Sequence, residues 1–334
     1  MTMNSKWPLK IAGLGRFAPG PPVTNREVEQ IVGVNEGTID RGAAGVKERY
    51  WAPPEITNSL MGAMAAREAI ADAGIEPGEV DLIINASGTF EQVVPDGGAL
   101  LQRELDLAES GIPCLTVHST CLSFLSALSI AGNFLSTGQY SRILIVSSEI
   151  ISRSVDVKNL ELISIIGDLA AAAIVVNPDP GEASSLSRSH FETYSSGAEL
   201  TYCRLGTSNV PGSPGFRLED SFFNMLGRKT FAFAHRYIPG FLEQLRPGLS
   251  KGLGTIDLVI PHQPSGMALR SLARYGWPSD KIVVTLDRFG NTSASTIPGA
   301  LYEAKVTGSL KRGMELLLIG TGAGISFGGI ILTY

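Results

Sequence analysis

An α/β fold in two similar halves is predicted by two observations. Strand-like and helix-like segments alternate along most of the 334 residues, a pattern that argues for helices packed on largely parallel sheets. There is also a weak internal echo. Asp81-Leu82-Ile83-Ile84 is answered by Asp257-Leu258-Val259-Ile260, and Arg142-Ile143-Leu144-Ile145-Val146 by Glu315-Leu316-Leu317-Leu318-Ile319, in the same phase. The join falls at the turn-rich Asn177-Pro178-Asp179-Pro180-Gly181, dividing the chain into 1–177 and 178–334.

Apolar runs rich in strand formers mark strands at 9–15, 81–87, 113–117, 142–148 and 170–176 in the first half. Between them lie helical patterns at 60–73, 97–105 and 122–135. The first is an Ala/Met-rich core helix, and the last carries Phe124, Leu125, Leu128, Ile130, Phe134 and Leu135 at roughly helical spacing. In the second half strands are read at 186–194, 257–261, 281–285, 315–320 and 325–333. Helices are read at 224–245, 265–275 and 295–307.

Composition narrows the function classes. With 44% hydrophobic and 18% charged residues, the chain can bury a large core. Net charge is −5 with no basic stripe, which argues against nucleic-acid binding. Cys114, Cys121 and Cys203 are an odd number without paired spacing, so no disulfide framework is expected. The polar start, Met1 to Lys10, predicts no leader. The most apolar stretch, 163–176, is broken by Gly167-Asp168 and is too short to span a bilayer. The expectation is a soluble cytoplasmic protein.

Cys121 is the residue most suggestive of chemistry. It stands where the strand at 113–117 hands over to the helix at 122–135. The unpaired N–H groups and dipole of a first helical turn favour thiolate over thiol, and thiolate is the nucleophile of thioester chemistry. The competing reading is a small buried apolar residue. His262 ends the strand at 257–261, and α/β proteins place chemistry at the carboxyl ends of strands; it could equally be a structural hydrogen-bonder. Asn291, in Gly290-Asn291-Thr292-Ser293, either caps a helix or aims an amide N–H at developing negative charge. If the halves are related by a pseudo-twofold, Cys121 and Asn291 take similar places, facing one central site.

Other patterns fall away. Gly320-Thr321-Gly322-Ala323-Gly324 precedes a strand and not a helix, so it is no dinucleotide loop; its glycines suggest close backbone approach to a ligand. The four histidines and three cysteines lack metal-ligand spacing, and no metal or cofactor is expected. The Cys121–His262 separation falls within the range of about 130–150 residues seen in papain-like proteases, but the local signature of that family is absent.

Taken together, these motifs resemble β-ketoacyl-acyl-carrier-protein synthase III, a condensing enzyme of the thiolase fold, along nearly the whole chain. Val23-Thr24-Asn25 with Glu29 is similar to the family's Val-Thr-Asn segment, and Ala44-Gly45-Val46-Lys47-Glu48-Arg49 to its Thr-Gly-Ile-x-x-Arg. Cys121 with Phe124 and Leu128 resembles the nucleophile motif, and Gly167-Asp168 the start of Gly-Asp-Gly-Ala-Gly. His262-Gln263 resembles the start of His-Gln-Ala-Asn. Gly290-Asn291-Thr292-Ser293 reproduces Gly-Asn-Thr-Ser, and Gly322-Ala323-Gly324 is similar to the closing glycine loop.

The resemblance implies two pseudo-twofold-related halves in α-β-α-β-α layers, an acyltransferase, and a homodimer. Cys121 would take an acyl group from acyl-coenzyme A or an acyl carrier protein, with the amides of Cys121 and Gly324 as oxyanion hole. His262 and Asn291 would support decarboxylative condensation with a malonyl thioester. The chain departs from the family at several places. A Trp and an Arg that clamp coenzyme A are Ile39 and Ala43 here, while Arg153 on the other side of the clamp is kept. An Arg used in carrier docking is Met267, with Arg270 and Arg274 as substitutes on the same helix. Val94 stands where a partner's Phe closes the acyl pocket, and where head-to-head condensing enzymes place a Glu. Val94 and Arg153 are thus the expected substrate-binding residues, and Val94 predicts chains longer than acetyl. Two alternatives remain open: acyl transfer to an oxygen or nitrogen nucleophile, and a non-catalytic subunit of a heterodimer.

Overall fold

The computed structural model describes residues 6–42, 44–207 and 209–334. Its first two strands part at once. β2 (Lys10–Phe17) joins β3 (Leu82–Asn85), β4 (Cys114–Thr116), β5 (Arg142–Glu149) and β6 (Leu169–Val176) in a five-stranded sheet of order β2-β6-β5-β3-β4. β1 (Trp7–Pro8) crosses to a second sheet with β7 (Ser185–Thr193), β8 (Leu258–Pro261), β9 (Glu315–Gly322) and β10 (Ser326–Thr333), of order β1-β7-β10-β9-β8. The breaker at 177–181 lies in the connection from the first sheet to the second.

The helices complete five layers. α3 (Ser123–Thr137) and α6 (Thr296–Val306) lie between the sheets. Phe124, Leu128, Ile297 and Leu301 share one core with Ile143 and Ile145 of the first sheet and Leu316 and Leu318 of the second. α1 (Asn58–Ala73) and α2 (Gly97–Glu104) cover the outer face of the first sheet, and α4 (Gly227–Leu245) covers that of the second. Sheets covered on both faces have strands apolar throughout, as in the Leu-Ala-Ala-Ala-Ala-Ile-Val-Val of β6, buried along all but its last residue. The window Thr120–Thr137 is long and apolar enough to cross a membrane, but half of it is buried inside the protein. It contains α3, a helix of the core.

Three expectations are corrected. The sheets are not largely parallel: β3 runs parallel to β4 and β5, and β8 to β9, while the other pairs are antiparallel. Parallel neighbours need a crossover, whereas β9 and β10 are joined by a tight hairpin through Ala323, Gly324 and Ile325. The segment 281–285 forms no strand. The side chain of Gln263 accepts from the N–H groups of Thr285 (2.9 Å) and Leu286 (3.0 Å) and donates to the Val283 carbonyl (3.0 Å). One side-chain amide thus takes the place of a ladder, and a single bridge pairs Val259 with Ile282. The helix read at 224–245 starts at Gly227, because Asn224–Met225 pairs with Thr201–Tyr202.

Candidate active site

Cys121 follows β4 on a tight turn that leads into α3. Thr120, just before it, is held at φ 50°, a conformation that a β-branched residue rarely adopts. Ser123 fixes the turn: its hydroxyl accepts from Ser119 N–H (2.9 Å) and donates to the Thr120 carbonyl (2.7 Å). Among the described residues four non-glycine positions have positive φ, and three of them meet at this sulfur. Thr120 precedes it, the Ser293 hydroxyl lies 3.5 Å from Sγ, and Ile325 closes the turn that brings the Ala323 amide to it. Strain gathered at one point marks a functional site more often than chance.

Asn291 is held across the join between the two halves. Its N–H donates to Ile165 O (2.6 Å), and its carbonyl accepts from Gly167 N–H (3.1 Å). The approach leaves no room for side chains. A Cβ on Gly290 would stand 2.5 Å from Ile165 O, and one on Gly167 would stand 2.0 Å from Phe289 O. The Asn291 Oδ1 accepts from Ser293 N–H (3.0 Å), which leaves the amide NH₂ as its donor. His262 ends its strand with its N–H on Ile319 O (2.8 Å). A Cβ on Gly320 would come within 2.8 Å of the His262 Cβ, and one on Gly322 within 2.7 Å of Thr120 Oγ1. Gly320 and Gly322 therefore make room for the site's own side chains, and their backbone also lines the cavity.

Cys121, His262 and Asn291 wall one cavity of about 610 Å³, together with Gly320, Thr321, Gly322 and Ala323. Other expected residues are elsewhere. Gly324 is the left-handed residue of the hairpin turn (φ 84°) and is absent from the cavity wall; the amide that reaches the sulfur is that of Ala323. Val94, expected in a partner's pocket, is 82% exposed on a loop with Phe90 and Val93 and does not line this chain's own cavity. Arg153 is turned onto the carbonyls of Pro53 (2.7 Å) and Ile56 (2.9 Å), also away from it. Ile39 and Met267 do line it; Ala43 lies outside the described residues. Arg270 belongs to α5 (Gly266–Ser271), and Arg274 to the tighter turn that follows.

Burial reverses the expected thiolate. It pushes the Cys121 thiol up to about 11, against the opposing pull of the Ser293 hydroxyl and the Cys121 and Ala323 amides, and the nearby Glu149 carboxyl adds to the rise. Cys121 lines the cavity, and desolvation there outweighs the first-turn amides. Burial likewise lowers the His262 imidazole to about 4, and its Nδ1 has no hydrogen-bond partner among the described residues. At neutral pH the pair is a neutral thiol and a neutral imidazole. Alkylation of Cys121 by iodoacetamide is therefore expected to speed up about tenfold per pH unit from pH 7 to pH 10, because only the thiolate reacts. Peptide mass mapping against pH measures this, and a rate that levels off below pH 8 contradicts it.

Glu149 escaped the sequence reading. It is fully buried at the carboxyl end of β5. Its Oε1 accepts from Gly88 N–H (2.5 Å), and its Oε2 has no hydrogen-bond partner among the described residues. Burial raises this carboxyl to about 8. The signal was an acidic residue at the carboxyl end of the strand, after the apolar run 143–146 and two serines, where α/β proteins place function.

Two family models match the chain: 3-oxoacyl-[acyl-carrier-protein (ACP)] synthase III over residues 115–195, and the C-terminal model of the same family over residues 251–334. A β-ketoacyl-[acyl-carrier-protein] synthase III of Clostridium acetobutylicum is 30% identical over 333 residues, covering 99% of each chain. The crystal structure of 3-oxoacyl-[acyl-carrier-protein] synthase III from Aquifex aeolicus superposes with a TM-score of 0.85 at 30% identity, covering 98% of this chain and 100% of that one. A single-residue variant of Xanthomonas campestris OleA shares the fold at 18% identity, with a TM-score of 0.85 over 98% of this chain and 99% of its own.

Proposed function

This chain belongs to the 3-oxoacyl-[acyl-carrier-protein] synthase III family of condensing acyltransferases, and from that premise we propose that Cys121 carries the acyl group and that His262 and Asn291 drive decarboxylative condensation. In the first half-reaction the Cys121 sulfur attacks an acyl thioester. A new S–C bond forms, the donor's S–C bond breaks, and the donor thiol leaves with the proton that Cys121 gave up. The Cys121 and Ala323 amides, with the Ala323 amide already at the sulfur, would hold the oxyanion.

In the second half-reaction a malonyl thioester loses its carboxylate as carbon dioxide, and the electron pair passes to the thioester oxygen as an enolate. Neutral donors suit that charge. An imidazole kept unprotonated by burial offers a hydrogen bond without surrendering its proton, and the Asn291 amide donates where a carboxylate would repel. The enolate carbon then attacks the acyl-cysteine: a C–C bond forms, the acyl C–S bond breaks, the Cys121 sulfur leaves with its electron pair and takes up a proton from solvent, and a 3-oxoacyl thioester is released. A carrier protein is the proposed bearer of the malonyl group. A second copy of the chain is the proposed cover for the exposed apolar loop of Phe90, Val93 and Val94.

The observation that carries this reading is the convergence of Cys121, His262, Asn291 and the Ala323 amide on one cavity. The test is to supply an acyl thioester and a malonyl thioester together. The expected result is carbon dioxide and 3-oxoacyl thioester in equal amounts. Acylation of Cys121 without release of carbon dioxide, and passage of the acyl group to an alcohol or amine, would overturn condensation in favour of simple transfer.

A further inference from the structure

The two half-reactions leave one buried ionisable group beside the sulfur unused. Glu149 is fully buried. Its Oε1 takes the Gly88 N–H, and its Oε2 has no hydrogen-bond partner among the described residues. Burial and hydrogen bonds, not a cation, set its ionisation. Its position ties it to the nucleophile. A Cβ added at Gly88 would meet the Ser293 hydroxyl at 3.0 Å, Glu149 Oε1 at 3.3 Å and the Thr120 carbonyl at 3.3 Å. That same Ser293 hydroxyl lies 3.5 Å from the Cys121 sulfur, and Thr120 directly precedes Cys121. Glu149 therefore shares one closed corner with the sulfur. A carboxylate there has no cation and too few donors to replace water, whereas a carboxylic acid carries no charge to solvate. Charge on this carboxyl works against the thiolate, with little solvent between them to screen it.

Other titratable groups surround the corner. Asp168, just before β6, accepts from Ala52 N–H and from the N–H and hydroxyl of Ser152. Glu91 accepts from the N–H and hydroxyl of Ser59. His118 Nε2 lies 3.2 Å from the Gly88 carbonyl, and His262 shares the cavity with Cys121. We propose that Glu149 is a positioning residue of the loading step that works as a neutral carboxylic acid, and that its ionisation sets a negative charge against the Cys121 thiolate and so brakes loading at alkaline pH. The inference rests on the acyl-cysteine reading and adds a control to it. The Glu149 proton passes to solvent, and Glu149 makes and breaks no bond to the substrate. Burial holds the acid up to about 8, so the brake is released at pH 7 and engages above pH 8.

The experiment follows alkylation of Cys121 by iodoacetamide, and its loading from acetyl-pantetheine, by mass at pH 7 and pH 9.5. Wild type is compared with Glu149→Gln, with folding checked by melting temperature. Glutamine keeps an acceptor for the Gly88 N–H and cannot ionise, and the ratio of the two proteins cancels what the neighbouring groups contribute. The Gln-to-wild-type ratio should rise by at least about threefold from pH 7 to pH 9.5 in both reactions. A ratio that stays level or falls overturns the brake. Loss of both reactions at pH 7 in Glu149→Gln also overturns it, because the carboxylate would then be acting as a base. Failure of wild type to load, with the alkylation ratio still rising, leaves the brake standing and overturns the acyl-cysteine. If Glu149→Gln does not fold, infrared spectra of wild type decide. The band of a protonated carboxyl is expected at pH 7 and should be lost by pH 9.5, and a spectrum that does not change between the two overturns the proposal.

Discussion

Cys121→Ala is expected to take up no acyl group from any thioester, and condensation should fall by on the order of 10⁴–10⁶, the scale at which a covalent nucleophile is lost. The fold should survive. Ser123, not Cys121, fixes the turn, and the polar contacts removed are the 3.5 Å approach to the Ser293 hydroxyl and that of the Ala323 amide. Intact mass after incubation with a thioester, read beside a melting curve, makes the measurement. Acyl label on Cys114 or Cys203, with turnover kept in Cys121→Ala, would end the acyl-cysteine mechanism.

The second large effect separates the two half-reactions. His262→Ala and Asn291→Ala should each lower release of carbon dioxide from a malonyl thioester by on the order of 10²–10³, the usual cost of removing one donor to a developing oxyanion. Loading of Cys121 should suffer less, since the donors proposed for that step are backbone amides. Malonyl decarboxylation and single-turnover acylation, measured on the same preparations, give the two numbers. Equal losses in both steps would mean that these residues shape the cavity as a whole. The Asn291 result needs its own control, because the residue's backbone also ties the halves together. An alanine keeps those N–H and C=O bonds but removes, with the amide group, the acceptor of the Ser293 N–H, so a melting curve is that control.

Cys121, His262 and Asn291 were legible in the sequence as candidates for a simple reason. His262 ends an apolar strand, while Cys121 and Asn291 each stand where a turn opens a helix, and such punctuation survives in one dimension. Strand direction does not: alternation of elements is the same whether a connection crosses over or doubles back as the β9–β10 hairpin does. The choice between Gly324 and Ala323 was equally hidden, because the backbone angles of the turn, and not residue identity, decide which amide points at the sulfur. The expected thiolate failed because burial is set by neighbours distant in the chain, and the Glu149 carboxyl adds to the rise. Phe231, Ala234 and Ile238 of α4 line the cavity but looked like ordinary core, since a helix facing a cavity and a helix facing a sheet share one spacing. The helix Asn25–Val32 was legible but unread: Thr24 and Glu27 form a capping box, the signature of a helix start.

The contact of Gly167 with the Gly290–Asn291 backbone ties catalysis to cooperativity. Asn291 keeps its position only while the segment at 165–167 of the other half is in place, and that segment packs against Gly290 with no side chain between them to yield. Neither half by itself holds Cys121, His262 and Asn291 together, and an opening that parted the two backbones would displace Asn291 and disturb the core that both sheets share. Turnover in this architecture therefore reports on the docking of the halves, a joint that the chemistry depends on as much as it does on the sulfur.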